Sequence, residues 1–249
     1  MRLALLLFCL AAPALAQPKA DIVILGEVHD NADAHLGQAD ALRQLQPTAV
    51  VFEMLTREEA ARADADRSLA EVAWTASGWS AFDLYAPIFD ALGEARIIGA
   101  AAPREDVREV YADGAAALFG PQAALYGLDT PLPDDQQALR EMLQFDAHCG
   151  AMPPESMGGM VAVQRYRDAV FARAALDALE SYGAPVAVIA GNGHARTDWG
   201  IPAVISRVAQ DVTTRSIAFV EAKTDIPFDE TRIVPPASRA DPCAALSKP

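Results

Sequence analysis

The sequence predicts an α/β fold in three layers, a mostly parallel sheet flanked by helices, with a helical cap-like insertion. Three observations predict it. Short apolar runs alternate with helix-forming stretches along the chain. Each run is apolar throughout, as in strands covered on both faces. The segments 56–94 and 104–182 are helix-heavy and long enough to lie over the sheet as a cap.

The elements follow in order. Asp21-Ile22-Val23-Ile24-Leu25, ending in Gly26, reads as a buried strand. Asp30 or Asn31 caps a helix running to about Gln46, with Asp33 in its first turn, where the helix dipole favours an acid. Residues 48–54 are a second strand. Thr56 caps a long helix rich in Ala, Glu and Arg. Gly78 breaks the pattern, and 82–95 is helical again, interrupted at Pro87. Residues 96–102 form a third strand, stopped by Pro103, and a helix follows to about Leu118. The stretch 120–133 is turn-rich. Pro133-Asp134-Asp135 opens a helix ending near His148, and 150–159 is a loose loop. Residues 160–182 are a strong helix ended by Gly183. Residues 185–190 are a fourth strand, followed by Gly191-Asn192-Gly193. Residues 202–210 are helical and 214–221 are the last strand. Beyond Ile226 the chain is proline-rich and reads as an irregular surface extension.

The expected organisation is a signal peptide over 1–16, one α/β domain over 17–225 and the extension over 226–249. Met1-Arg2 is a basic start, Leu3 to Leu10 is apolar, and Ala14-Leu15-Ala16 is a small-x-small cleavage site. Cys9 lies inside this segment before Leu10, a context unlike a lipoprotein's, so a periplasmic or secreted protein is expected. No later run reaches the ~20 apolar residues of a membrane helix. In an oxidising space Cys149 and Cys243 make either one disulfide or two free thiols; sequence leaves both open, since it does not bring their Cα atoms together. The chain carries 34 acidic and 20 basic residues, a net charge of −14. Such a chain repels phosphates, which argues against nucleic acid as a partner. A hydrophobic content of 52% argues against disorder.

Sites in parallel sheets form at the carboxyl ends of strands. There the sequence places Gly26-Glu27-Val28-His29, Glu53, Pro103-Arg104 and Gly191-Asn192-Gly193-His194. If these strands are neighbours, His29, Glu53 and His194 converge as a ligand set for a divalent transition metal. In that reading Glu27 is the general base of a hydrolase. Read singly, each His is a hydrogen-bonded structural group and Glu53 a cap or ion-pair partner. His35 is either a core histidine or a pocket wall. His148 ends a helix, where a cation is favoured. Gln164 and Asp168, four apart, share a helix face; they either edge an apolar stripe or face the pocket. Phe82, Tyr85 and Phe89 share another face. No zincin helix, nucleophile elbow or Cys-x-x-Cys-His haem-attachment motif is present. The segment 191–196 departs from a dinucleotide loop, since Arg196 replaces the third glycine.

Leu25-Gly26-Glu27-Val28-His29-Asp30 with His35, Phe52-Glu53-Met54, His148-Cys149-Gly150, Gln164 with Asp168, and Ala190-Gly191-Asn192-Gly193-His194-Ala195 together resemble the ChaN-like haem-binding uptake family of the Tiki superfamily. The resemblance spans roughly residues 20–205. It implies an α/β fold and haem binding linked to iron uptake. It also implies haem at a homodimer interface, with a tyrosine as iron ligand. The candidates are Tyr85, Tyr111, Tyr126, Tyr166 and Tyr182, with Tyr85 in the most family-like surroundings. Arg104, His148, Gln164 and Asp168 complete the expected haem-contacting set. Related Tiki proteins use such histidines and a Glu in metal-dependent hydrolysis, so the same pocket supports either function.

Overall fold

The computed structural model describes residues 20–79, 81–241 and 243–244. The expected signal peptide lies outside the described residues. Six strands are present: β1 (Ile22–Glu27), β2 (Ala49–Phe52), β3 (Arg96–Gly99), β4 (Val186–Gly191), β5 (Thr214–Val220) and β6 (Glu230–Ile233). They form one sheet in the order β3-β2-β4-β1-β5-β6, and every pairing is parallel. The helices are α1 (Ala32–Leu45), α2 (Arg57–Ala65), α3 (Ala70–Ser77), α4 (Phe82–Asp90), α5 (Arg104–Asp113), α6 (Ala115–Phe119), α7 (Asp134–Ala147), α8 (Met157–Tyr182), α9 (Asn192–Ala195) and α10 (Ile201–Val208).

The alternation of side chains along each strand sorts the two cores. Val23, Leu25, Phe52, Ile189 and Phe219 point into one, against Leu42 of α1, Trp74 of α3 and Ile88 of α4. Ile22, Ile24, Val51 and Val188 point into the other, against Phe119 of α6, Tyr166 and Phe171 of α8 and Ile205 of α10. Phe52 and Phe171 are almost wholly buried, each worth about 1.5–3 kcal/mol of burial. This is why the strands read as continuous apolar runs: neither face meets water.

α1 starts where expected, with Asn31 accepting from Ala34 N. Thr56 caps α2 through a reciprocal pair with Glu59, the capping box. Its helix is shorter than the sequence suggests, because Asp66 turns the chain before α3. Pro87 stays inside α4. The helix expected to reach Leu118 divides at Gly114, whose φ of 89° suits only glycine.

The cap-like feature is the front half of α8. This helix has 26 residues, so it is about 39 Å long. Its carboxyl end lies at the amino edge of the sheet, where Arg96 at the start of β3 stacks on Tyr182. Its twelfth residue, Asp168, already touches His194 beyond the end of β4. The eleven residues before it, about 16 Å of helix, therefore overhang the sheet's carboxyl edge. α5 and α7 flank this overhang: an added Cβ at Gly158 would meet Glu141 of α7, and one at Gly159 would meet Tyr111 of α5.

The extension is less irregular than expected. β6 pairs with β5 at the sheet edge. Its residues alternate between half-buried and exposed, so it lacks the apolar run that marks the inner strands. Beyond it, Arg239 pairs with Asp30 at 2.6 Å and with Glu221. Cys243 is bridged to Cys149, with Cα atoms 5.4 Å apart. The tail thus runs from the sheet edge to the end of α7.

Candidate functional site

β1 and β4 are neighbours, yet the chain leaves them toward opposite faces: α1 packs in one layer and α10 in the other. This is the switch point at which open parallel sheets hold their ligands. Glu27 and Gly191 are register partners there. Glu53, one residue past β2, donates its backbone N–H to Ile189 O of β4. Three strand ends therefore bring Glu27, Glu53 and the two Gly-x-x-His segments to one level.

Two imidazoles are each backed by a carboxylate. His29 Nδ1 lies 2.8 Å from Glu27 Oε1. His194 Nδ1 lies 2.6 Å from Asp168 Oδ1. Their other nitrogens face the same atom: Glu53 Oε1 is 4.0 Å from His29 Nε2 and 3.6 Å from His194 Nε2. Glu53 Oε2 accepts from Gly191 N at 2.7 Å. A Cβ on Gly191 would stand 2.8 Å from His29 Nε2, so glycine is what lets that ring approach the strand end. Gln164 Nε2 lies 3.3–3.4 Å from the ring nitrogens of His194, and Phe171 meets that ring edge-on. His194, Asp168 and Glu53 are buried, while the His29 side chain is 38% exposed under Trp79.

Glu27 is the anchor behind His29. Tyr85 donates to its Oε1 at 2.5 Å and to His29 O at 3.1 Å. His35 Nε2 stands 3.5 Å from its Oε2. Both rings are fully buried and lie 4.0 Å apart. Burial alone would raise the Glu27 carboxyl, but the bonds from His29 and His35 hold it at about 2. Burial would lower His29 and His194; the Glu27 bond and Glu53 raise the first, and Glu53 and Asp168 raise the second. Burial raises Asp168, against the pull of His194 and Arg140. Burial and the Glu27 charge raise Tyr85 far above an ordinary phenol.

These surroundings reassign several expected roles. Glu27 fits no general base: it is enclosed, its Oε1 is engaged by His29 and Tyr85 while its Oε2 faces only the buried His35 ring, and it is too weak a base near neutral pH. It orients His29. Tyr85 fits no iron ligand, since its hydroxyl keeps its proton and donates it in a hydrogen bond to Glu27, and its ring is fully buried. The expected metal set His29, Glu53 and His194 does converge. However, among the described residues no group of three or more His, Cys, Asp or Glu side chains is arranged to hold a metal ion. Each imidazole turns one nitrogen to a backing carboxylate and the other to Glu53. Gln164 and Asp168 flank His194, whereas His148 closes the end of α7, its Nδ1 2.7 Å from Gln144 O. Arg104 is exposed at the start of α5. Sequence reasoning missed Arg140 and Trp199, which line a cavity of about 180 Å³ with Gln164 and Gly193; neither residue stands in any motif.

The network has a pH signature. Glu27 falls from 4.5 to about 2 on folding, so its contribution is present above pH 4.5 and lost as pH falls toward 2. That loss is about 3 kcal/mol. His29 and His194 are raised from 6.5, so theirs is full below pH 6.5 and lost as pH rises through their folded values. Stability is expected to peak between pH 4.5 and 6.5. Urea denaturation across pH checks this, and Glu27→Gln should flatten the acid side. An acid side unchanged by that substitution would refute the assignment.

Sheet and site together make this an open parallel α/β protein with carboxylate-backed histidines gathered at its switch point, where such sheets hold ligands. The chain belongs to the family described as haem-binding uptake, Tiki superfamily, ChaN, whose model matches residues 15–205. Among solved structures it is similar to one titled cofacial heme binding to ChaN of Campylobacter jejuni. That match has 18% identity and a TM-score of 0.64, and covers 84% of this chain and 85% of that one. Weaker likenesses are the type III effector HopBA1, at 14% identity and TM-score 0.42, and a succinoglycan biosynthesis protein, at 10% and 0.40. They cover 80% of this chain in each case, and 77% and 66% of theirs. No curated protein matches the chain.

Proposed function

We propose that this protein binds haem non-covalently on its overhanging cap and serves haem and iron uptake after export from the cytoplasm. Family membership carries the reading. The cap supports it with the surface chemistry a flat, largely apolar ring with two carboxylates needs. Leu139, Met142 and Leu143 are exposed on α7, and their spacing puts them on one helix face. Of the five tyrosines, Tyr85, Tyr126 and Tyr166 are buried. Tyr182 lies under Arg96 at the far edge of the sheet. Tyr111 on α5 remains, 37% exposed. Arg104, seven residues earlier, shares its helix face and is placed for a propionate. Tyr111 would hold a bound haem through its phenolate oxygen, a donor that suits ferric iron. The cavity beside Gln164, at about 180 Å³, is below the range of pockets that enclose drug-sized ligands, so a haem would be held on the surface, where a second copy of the chain would shield it.

A metal-dependent hydrolase is the second reading. The two imidazoles facing Glu53 favour it, and the lack of a metal-holding group among the described residues counts against it. A haemin titration separates the two. Saturable binding with a tyrosinate spectrum is expected for the wild type. Tyr111→Phe should change that spectrum and weaken binding roughly tenfold, a loss of about 1.4 kcal/mol. Tyr85→Phe should leave the spectrum unchanged. No saturable binding in the wild type would overturn the haem reading.

A further inference from the structure

We propose that the cleft between α7, α8 and α10 is an oxyanion-binding site, formed by Arg140, Arg165 and Arg207 beside the ring of Trp199. It goes beyond the haem reading and stands independently of it. The cleft encloses about 180 Å³, and Asp168 and Asp198 also line it.

The charges do not balance within the cleft. Asp168 is committed to His194 through Oδ1 at 2.6 Å, its Oδ2 being buried without a hydrogen-bond partner, and Asp198 is committed to Arg196 through contacts of 2.6 and 2.7 Å. Arg165 donates to the carbonyls of Gly127 and Thr130, and Arg207 to that of Leu125. These are neutral acceptors, and among the described residues neither guanidinium has a carboxylate within ion-pair distance, although Asp129 offsets part of the Arg165 charge from farther away. Arg140 is 91% buried by its 9% exposure. It donates to Gln136 Oε1 at 3.1 Å and lies 4.7 Å from the Trp199 ring centre. Its Nε is buried with no hydrogen-bond partner. An unmade bond to a buried guanidinium is costly, and an oxyanion in the cleft would complete it.

The guanidiniums also feel one another. Burial, with Arg165 and Arg196 nearby, pulls Arg140 down to about 10, against the opposing pull of Asp168 and Asp198. Burial and Arg207 lower Arg165, against the opposing pull of Asp129. In a chain of net charge −14, three arginines crowded into one cleft against this repulsion mark a place built for negative charge. Planar guanidinium forks suit carboxylate and phosphate alike. A free small anion and a haem propionate both supply that chemistry.

Isothermal titration of the full-length protein with inorganic phosphate, then with malonate, at constant ionic strength tests the site. Saturable one-site binding is expected for the wild type. Arg207→Gln, at the exposed rim, should weaken it roughly tenfold, as expected for one charged hydrogen bond. Arg140→Gln should weaken it more, if that variant folds. Arg173→Gln, whose guanidinium stacks on Phe119 instead, should leave it unchanged. No saturable heat in the wild type, or equal weakening by Arg173→Gln, would overturn the proposal. Saturating phosphate then identifies the source: weaker haemin binding assigns the cleft to a propionate, and unchanged binding assigns it to a free anion. Both results support the site.

Discussion

Replacing Cys149 and Cys243 together by serine is expected to lower stability by about 4–5 kcal/mol. The two residues are 94 apart in sequence, and a cross-link closing a loop of that length removes about this much from the unfolded chain's entropy. The native contacts of the tail do not replace it. Arg239 still reaches Asp30 and Glu221 at the surface, but exposed ion pairs contribute well under 1 kcal/mol apiece. Urea midpoints measured with and without reductant, for wild type and the double serine variant, check the expectation. The reduced wild type should match the variant. Equal midpoints for oxidised and reduced wild type, or labelling of both Cys149 and Cys243 by a thiol reagent in the unfolded, unreduced chain, would refute it.

Replacing Asp168 by alanine is expected to lower stability by about 3–5 kcal/mol near pH 6, the range for breaking a buried ion pair from one side. His194 is 5% exposed and would be left with Glu53, 3.6 Å away on its other nitrogen, as its remaining charged partner. Because Asp168 and Glu53 raise His194 against burial, losing Asp168 should bring its titration down. Asp168→Asn keeps a polar atom near Nδ1 and should lose less stability, while moving the titration in the same direction. Chemical denaturation together with the His194 proton resonances across pH gives both quantities. A loss under 1 kcal/mol with an unmoved His194 titration would show that the pair is uncharged in the folded protein.

Much of this arrangement was legible because it depends on local chemistry. Buried strands announce themselves as apolar runs, and the glycines at the carboxyl ends of β1 and β4 mark where chain and side chains come close. The shared helix face of Gln164 and Asp168 was readable from their spacing. That Asp168 would back His194, 26 residues away, was not, since α8's overhang depends on tertiary packing. The same limit explains the metal expectation. A sequence gives two histidines and two glutamates at strand ends, but whether a carboxylate binds beside an imidazole or orients it from behind is a matter of a few ångströms. Tyr85 shows the point again: its helix face was readable, and its partner Glu27, 58 residues earlier, was not. β6 escaped because an edge strand has one open flank and needs no apolar run.

The strand order has a consequence for how the chain is made. β1 is the first strand to leave the ribosome, yet its neighbours are β4, beginning at Val186, and β5, beginning at Thr214. Until those residues are synthesised, Ile22–Glu27 has neither hydrogen-bonding edge satisfied, although β2 and β3 can already meet. Contacts of such long sequence separation form late and slowly. For most of its synthesis the nascent protein therefore carries a bare six-residue apolar strand, the kind of segment that chaperones shield and that aggregates when translation stalls.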